Sequence, residues 1–260
     1  MRLKITAILT LFAVAISLII ANLMGIETAI LVGNLGYTPI TISLTALTII
    51  MTIKFRAKST HGIAWIMFLG CAISWMVAEH VWIMEELVLH VKPFPSSADI
   101  FYVLGYLFLI LFVIYYMQVV KKAITKKMIL VSVATSIALL LPSLYITLYE
   151  NSDVTGIAFL LAFAYPILDS IVLVPALIGI MMFFKGEVSR MWTFFSLAII
   201  SLAAGDTGFL LTEMNGSYYT GHPVDMLLMW SYVLFSFGVY SQYKIFSGRK
   251  NFFEDKKELR

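Results

Sequence analysis

Cysteine is almost missing from this 260-residue chain: Cys71 stands alone. A single thiol excludes an intramolecular disulfide and a cysteine-based zinc site. Charge is scarce too, at 13% of residues, where an ordinary soluble domain carries about 25%. With 61% hydrophobic residues and a mean hydropathy of +0.94, a soluble domain of this length has too little polar surface to cover its apolar content. Long linkers and low-complexity stretches are absent. So are C-x-x-C-H, H-E-x-x-H and any histidine pair at ligand spacing, leaving no signature of haem or zinc. The sequence names no cofactor.

What is present is a series of apolar runs. A helix needs about 20 apolar residues to cross the hydrocarbon core. Runs of that kind cover 5–24, 33–53, 63–84, 98–120, 128–148, 156–184, 191–212 and 224–243. They lack the alternation of a membrane β-barrel. The expectation is an all-α, polytopic membrane protein with eight transmembrane helices, its main partner the lipid bilayer of the cell membrane. Gly33, Gly36 and Pro39 interrupt the start of the second run. The first run, after MRLK, also fits a cleaved signal peptide.

Charge placement orients the chain. Lys and Arg fall into five clusters: Arg2 and Lys4; Lys54, Arg56 and Lys58; Lys121 to Lys127; Lys185 and Arg190; and Lys244 to Arg260. These hold 17 of the 18 basic residues, and Lys92 is the exception. Eight spans with both termini cytoplasmic put every cluster inside, as the positive-inside rule requires. The net charge of +3 then reflects orientation, and nucleic acid is excluded as a partner. Residues 1–246 form one transmembrane domain, and 247–260 a charged, solvated tail.

A shift of about 127 residues brings the chain onto itself. Pro39 meets Pro166, with Tyr37 and Tyr165 beside them. Trp65 meets Trp192, Glu79 meets Asp206, and Glu86 meets Glu213. One residue closer, Asp99 meets Asp225 and Tyr106 meets Tyr232. These polar and aromatic matches predict two tandem four-helix repeats, about 1–122 and 126–246, related by a two-fold axis along the membrane normal. The repeat also argues that the first helix is retained.

An ionisable side chain inside a bilayer costs about 2.5–3.5 kcal/mol and is a functional candidate by default. Trp75, Glu79, Trp82 and Glu86 share one face of the third helix, while His80 and Glu85 point elsewhere. Asp169 sits mid-way along the sixth helix, and Asp206 and Glu213 share a face of the seventh. Asp99 and Asp225 stand at helix starts, after SSA and HPV, where capping explains them. Glu85, Glu86, Glu213 and His90 read as interfacial. Glu79, Asp169 and Asp206 have no Lys or Arg at their depth. They must be protonated, bonded to Tyr102, Tyr106, Tyr165 or Tyr232, or bound to a ligand. Two readings stay open: a polar lock between helices, and a ligand site in an outward-opening pocket between the repeats. The candidate ligand-binding residues are Trp75, Glu79, His80, Trp82, Asp99, Tyr102, Tyr106, Tyr165, Asp169, Asp206, Asp225 and Tyr232. His80 and His222 with these acids lack the spacing of a metal site, so no metal is assigned.

The strings PFPSSADIFYVLGY, AYPILDS and GHPVDMLLMWSYVLFSFGVY resemble the multi-helix membrane regions that precede diguanylate cyclase (GGDEF) and histidine kinase modules in prokaryotic signalling proteins. The resemblance spans helices three to eight and carries Asp99, Tyr102, Tyr106, Tyr165, Pro166, Asp169, Asp206, Asp225, Trp230 and Tyr232. It implies a membrane-embedded sensory or ligand-binding module. No cyclase or kinase sequence follows within these residues, so a separate cytoplasmic signalling protein is the expected partner. The first expected function is therefore a sensor-like module that binds a small ligand, proton or cofactor. The second is a small transporter using the same carboxylates as proton or cation relays. A membrane hydrolase ranks third, because nothing places a nucleophile next to a base, and catalysis is not the leading expectation.

Overall fold

A computed structural model describes residues 2–55, 59–149, 156–184 and 190–258. Arg56, Lys58, Lys185 and Arg260 of the basic clusters lie outside them. The described chain is helical almost throughout: α1 (Arg2–Met24), α2 (Ile26–Phe55), α3 (Thr60–Ile83), α4 (Ala98–Val120), α5 (Lys126–Tyr149), α6 (Gly156–Phe184), α7 (Arg190–Met214) and α8 (Asp225–Glu258). In hydrocarbon every backbone N–H and C=O must be satisfied internally, and a helix does this within one segment. Seven helices are long and apolar enough to cross a membrane. The eighth, α8, is diluted by Ser231, Ser236, Ser241 and Gln242 and by its charged end.

Two boundaries differ from expectation. The second helix starts at Ile26, not near 33, and Pro39 lies inside it. The Thr41 hydroxyl donates to the Tyr37 carbonyl at 2.9 Å in the turn that the proline disturbs. The backbone of α8 stays helical to Glu258, through most of the expected tail.

Six helices close a ring in the order α2, α3, α4, α6, α7, α8 and back to α2. The helices α1 and α5 lie outside it, α1 against α2 and α8, and α5 against α6. The first helix is tied in by polar bonds. The Trp230 indole donates to the Leu11 carbonyl at 2.9 Å. The Asn22 amide donates to the Gly221 carbonyl at 2.8 Å, and the Tyr219 hydroxyl donates to Asn22 at 2.6 Å. Gly221 has φ +86°, and a β carbon there would meet the Ala29 carbonyl oxygen at 2.1 Å. Only glycine permits both the backbone and the approach.

The ring interior divides into two layers. One is an aromatic core of Trp65, Phe68, Phe112, Phe195 and Phe235, all at 0% exposure. Phe68 and Phe195 meet at 4.7 Å between centroids, and Phe112 and Phe195 at 5.2 Å. The other layer is polar and lies towards the α3–α4 and α7–α8 connections. Lys54 donates to Ser247 at 2.8 Å, so the end of α2 and the late part of α8 meet at the opposite, basic end. The outer surface is apolar. Leu9, Phe12, Ile16 and Ile20 of α1 and Leu130, Leu139 and Leu141 of α5 are all exposed, as lipid-facing positions are and water-facing ones rarely are in such numbers.

Candidate functional site

The polar layer surrounds a cavity of about 70 Å³. At about 10–15 Å³ per water-sized sphere, it has room for about five to seven such spheres. Of the twelve sequence candidates, Trp75, Glu79, Trp82, Asp99, Tyr102, Tyr106, Tyr165, Asp206 and Tyr232 line it. Asp169 and Asp225 stand just behind the wall, each held by a tyrosine of the lining. His80 stands apart. It is exposed, and its Nδ1 lies 2.7 Å from the Met76 carbonyl oxygen, as its place on another face of α3 requires.

Each acid has a tyrosine partner. The Tyr232 hydroxyl donates to Glu79 Oε1 at 2.7 Å, joining α8 to α3. The Tyr165 hydroxyl donates to Asp99 Oδ1 at 2.5 Å, joining α6 to α4. The Tyr218 hydroxyl donates to Asp225 at 3.0 Å. The Tyr106 hydroxyl lies between two carboxyls, 2.5 Å from Asp169 Oδ1 and also hydrogen-bonded to Asp206. A phenol has one hydrogen. Tyr106 can donate to one carboxyl only, and the other contact needs a protonated carboxyl donating to the phenol oxygen. The Asp169–Tyr106–Asp206 cluster thus ties α6, α4 and α7 together.

Asp99 and Asp225 do not cap their own helices. Each reaches back to the preceding loop: Asp99 accepts from the Ser96 N–H at 2.8 Å, and Asp225 from the Gly221 N–H at 2.7 Å. This resembles the return arm of a capping box, with a tyrosine added. Trp75 and Trp82 are fixed in turn. The Trp75 indole donates to the Tyr102 carbonyl at 3.1 Å, and that of Trp82 to the Thr220 hydroxyl at 3.0 Å.

Glu86 leaves the stripe shared by Trp75, Glu79 and Trp82. At Met84–Val88 the helix widens into a π turn, which changes the register by which side chains share a face. Glu86 accepts from the Asn34 amide at 2.7 Å instead. Glu213 likewise does not follow Asp206 into the cavity; it forms an ion pair with Lys92. The one basic residue outside the clusters thus has a partner at the cavity end. Outside the membrane-spanning segments, burial against Asp225 pushes the Tyr218 phenol well above its usual range, and burial lowers the His222 imidazole.

Six lining residues are additional: Tyr37, Leu202, Phe209, Tyr218, Thr220 and Leu228. The offset of about 127 residues finds four of them. It carries Trp75 to Leu202, Trp82 to Phe209 and Tyr102 to Leu228, and it pairs Tyr165 with Tyr37. Tyr218 and Thr220 lie in the α7–α8 connection and have no such signal. Among the described residues, no group of three or more His, Cys, Asp or Glu could hold a metal ion. The chain matches no protein-family model, and no curated protein or solved structure matches it.

Proposed function

We propose that this chain is a membrane-embedded, sensor-like module that binds a small molecule in the cavity between α3, α4, α6, α7 and α8. One observation carries this reading: a cavity walled by carboxylates and aromatic rings, whose polar bonds run between helices from the two halves of the chain. A helix pair that needed only a lock would bury these groups against each other and leave no space. The space is there, and its walls can report occupancy by moving.

Two four-helix units related by a two-fold axis account for the bonding pattern. The bond from Tyr232 to Glu79 runs from second half to first. The contact of Tyr106 with Asp206 is its counterpart, running from first half to second. The same offset exchanges the two. In this reading α8 spans the membrane, both termini are cytoplasmic, and the cavity opens to the outer side. The resemblance to membrane regions of signalling proteins adds a role. Occupancy would shift one unit against the other, and the basic end would pass the shift to a separate cytoplasmic protein. The aromatic core of Phe68, Phe112 and Phe195 fills the path toward the basic end, which favours binding over transport.

Native mass spectrometry of the protein purified in mild detergent tests this. A small molecule released from the wild type and absent from Leu228→Trp, which places an indole in the cavity, supports the reading. Bound mass that is identical in the two proteins refutes it.

A further inference from the structure

The lining has a one-sided chemistry. Glu79, Asp99 and Asp206 face the cavity, and no Lys, Arg or His does. Among the described residues the one salt bridge, between Lys92 and Glu213, involves none of these acids. An anion would meet three acids and no positive charge, and an apolar ligand would offer them nothing beyond their tyrosine partners.

The remaining walls are mostly aromatic. Trp82 meets Tyr102 at 6.4 Å and 69°, Phe209 at 6.0 Å and 71°, and Tyr218 at 6.3 Å and 84°. Trp75 meets Tyr232 at 5.7 Å and 67°. Neighbouring walls thus stand near right angles, as the sides of a box do. Aromatic faces carry negative potential and attract a cation, a preference strongest for quaternary ammonium groups in such cages.

A third observation is independent of the acids. Tyr37 is only 5% exposed and lines the cavity. Its ring meets Tyr232 edge-on at 6.0 Å. Its hydroxyl has no hydrogen-bond partner among the described residues, whereas those of Tyr106, Tyr165, Tyr218, Tyr219 and Tyr232 reach a carboxyl or Asn22. A phenol that lines a cavity and bonds no neighbouring side chain is free to bond a polar ligand atom there.

From this box we propose that the ligand is a small organic cation, an amine or quaternary ammonium compound of about five to seven heavy atoms, held over Trp75 and Trp82 and against Glu79 and Asp206. The size follows from the volume of about 70 Å³ at about 10–15 Å³ per sphere. The cation is organic because, among the described residues, no three acids gather round a metal ion, and the walls are mostly aromatic. The proposal rests on the reading of this cavity as a ligand site.

The test is a tryptophan-fluorescence titration in detergent with choline chloride and tetramethylammonium chloride, using sodium chloride as the ionic control. Neohexyl alcohol, the uncharged carbon isostere of choline, is the matched neutral probe. The expected result is a saturable response to at least one of the ammonium compounds and none to the alcohol or sodium. Glu79→Gln and Asp206→Asn should each weaken it at least tenfold, and Trp82→Leu severalfold. Folding of each variant is checked by protection of Cys71 from a thiol dye. A response to the alcohol as strong as that to choline, or unchanged affinity in both folded acid variants, overturns the cation proposal and leaves the cavity a ligand site. No response to any probe, together with identical bound mass in wild type and Leu228→Trp, overturns both.

Discussion

Replacing Tyr106 by Phe removes one oxygen and leaves the ring. The residue is 2% exposed and lines the cavity. Two contacts vanish, one to Asp169 and one to Asp206. A hydrogen bond to a charged group is worth about 1.5–3 kcal/mol, and a buried polar group left without a partner costs about 1–3 kcal/mol. Asp169 has Tyr106 as its hydrogen-bond partner and loses it. The sum is about 2.5–6 kcal/mol. For a chain of this size, 1 kcal/mol moves the midpoint by about 2–4 °C, so the midpoint should fall by about 10 °C. Cys71 supplies the assay, because it is the sole cysteine and is 1% exposed. A thiol dye reads unfolding without an engineered label. Tyr106→Phe in an Asp206→Asn background should cost about 1–3 kcal/mol less than in the wild type, the coupling expected for residues in contact. A cost below about 1 kcal/mol in the wild type, or strict additivity, would refute the bonding scheme across α4, α6 and α7.

Other perturbations follow from particular contacts. Gly105→Ala would put a β carbon 2.2 Å from the Trp75 indole nitrogen; overpacking should cost about 1–3 kcal/mol, with a red shift in tryptophan emission as Trp75 moves. Asn22→Ala breaks the bonds to Gly221 and Tyr219 and should cost about 1–2 kcal/mol, read by the same dye assay. The His222 imidazole is lowered by burial, so its neutral form is favoured in the fold. Its contribution is intact above the unfolded value of about 6.5 and is lost as pH falls through it toward the lower folded value. Between pH values of about 7.5 and 5, the wild-type midpoint should therefore drop further than that of His222→Asn, whose amide oxygen can still accept the Val224 N–H. Equal drops would remove His222 from the account.

The helices were legible because a bilayer demands long apolar runs, and seven of them pass that demand in the structure. Their ends were less so. Pro39 and Gly33 look like breaks, yet Pro39 is accommodated within α2, and Gly33 packs where a β carbon would meet Gly221 at 2.6 Å. The acids of the site stood out because charge is costly in hydrocarbon. Leu202, Phe209 and Leu228 did not stand out by themselves, because an apolar residue in an apolar run carries no signal of the space beside it; only their offset from Trp75, Trp82 and Tyr102 marks them. His80 lies off the stripe, as its spacing from Glu79 requires. It shares the stretch of Glu79, but its ring turns to its own helix at Met76. The π turn at Met84–Val88, which takes Glu86 out of the stripe, leaves no mark in residue spacing.

The central claim is that the cavity takes a small molecule. It is tested most directly by thermal unfolding, read at Cys71, of the wild type and Leu228→Trp across a panel of small organic cations and their neutral isosteres. The account predicts that at least one cation raises the wild-type midpoint in a saturable manner, and that the same compound leaves Leu228→Trp unmoved. A panel that moves neither protein, when their bound mass is also identical, or that moves both equally, would contradict it, and the carboxylates and tyrosines would then be a lock between helices.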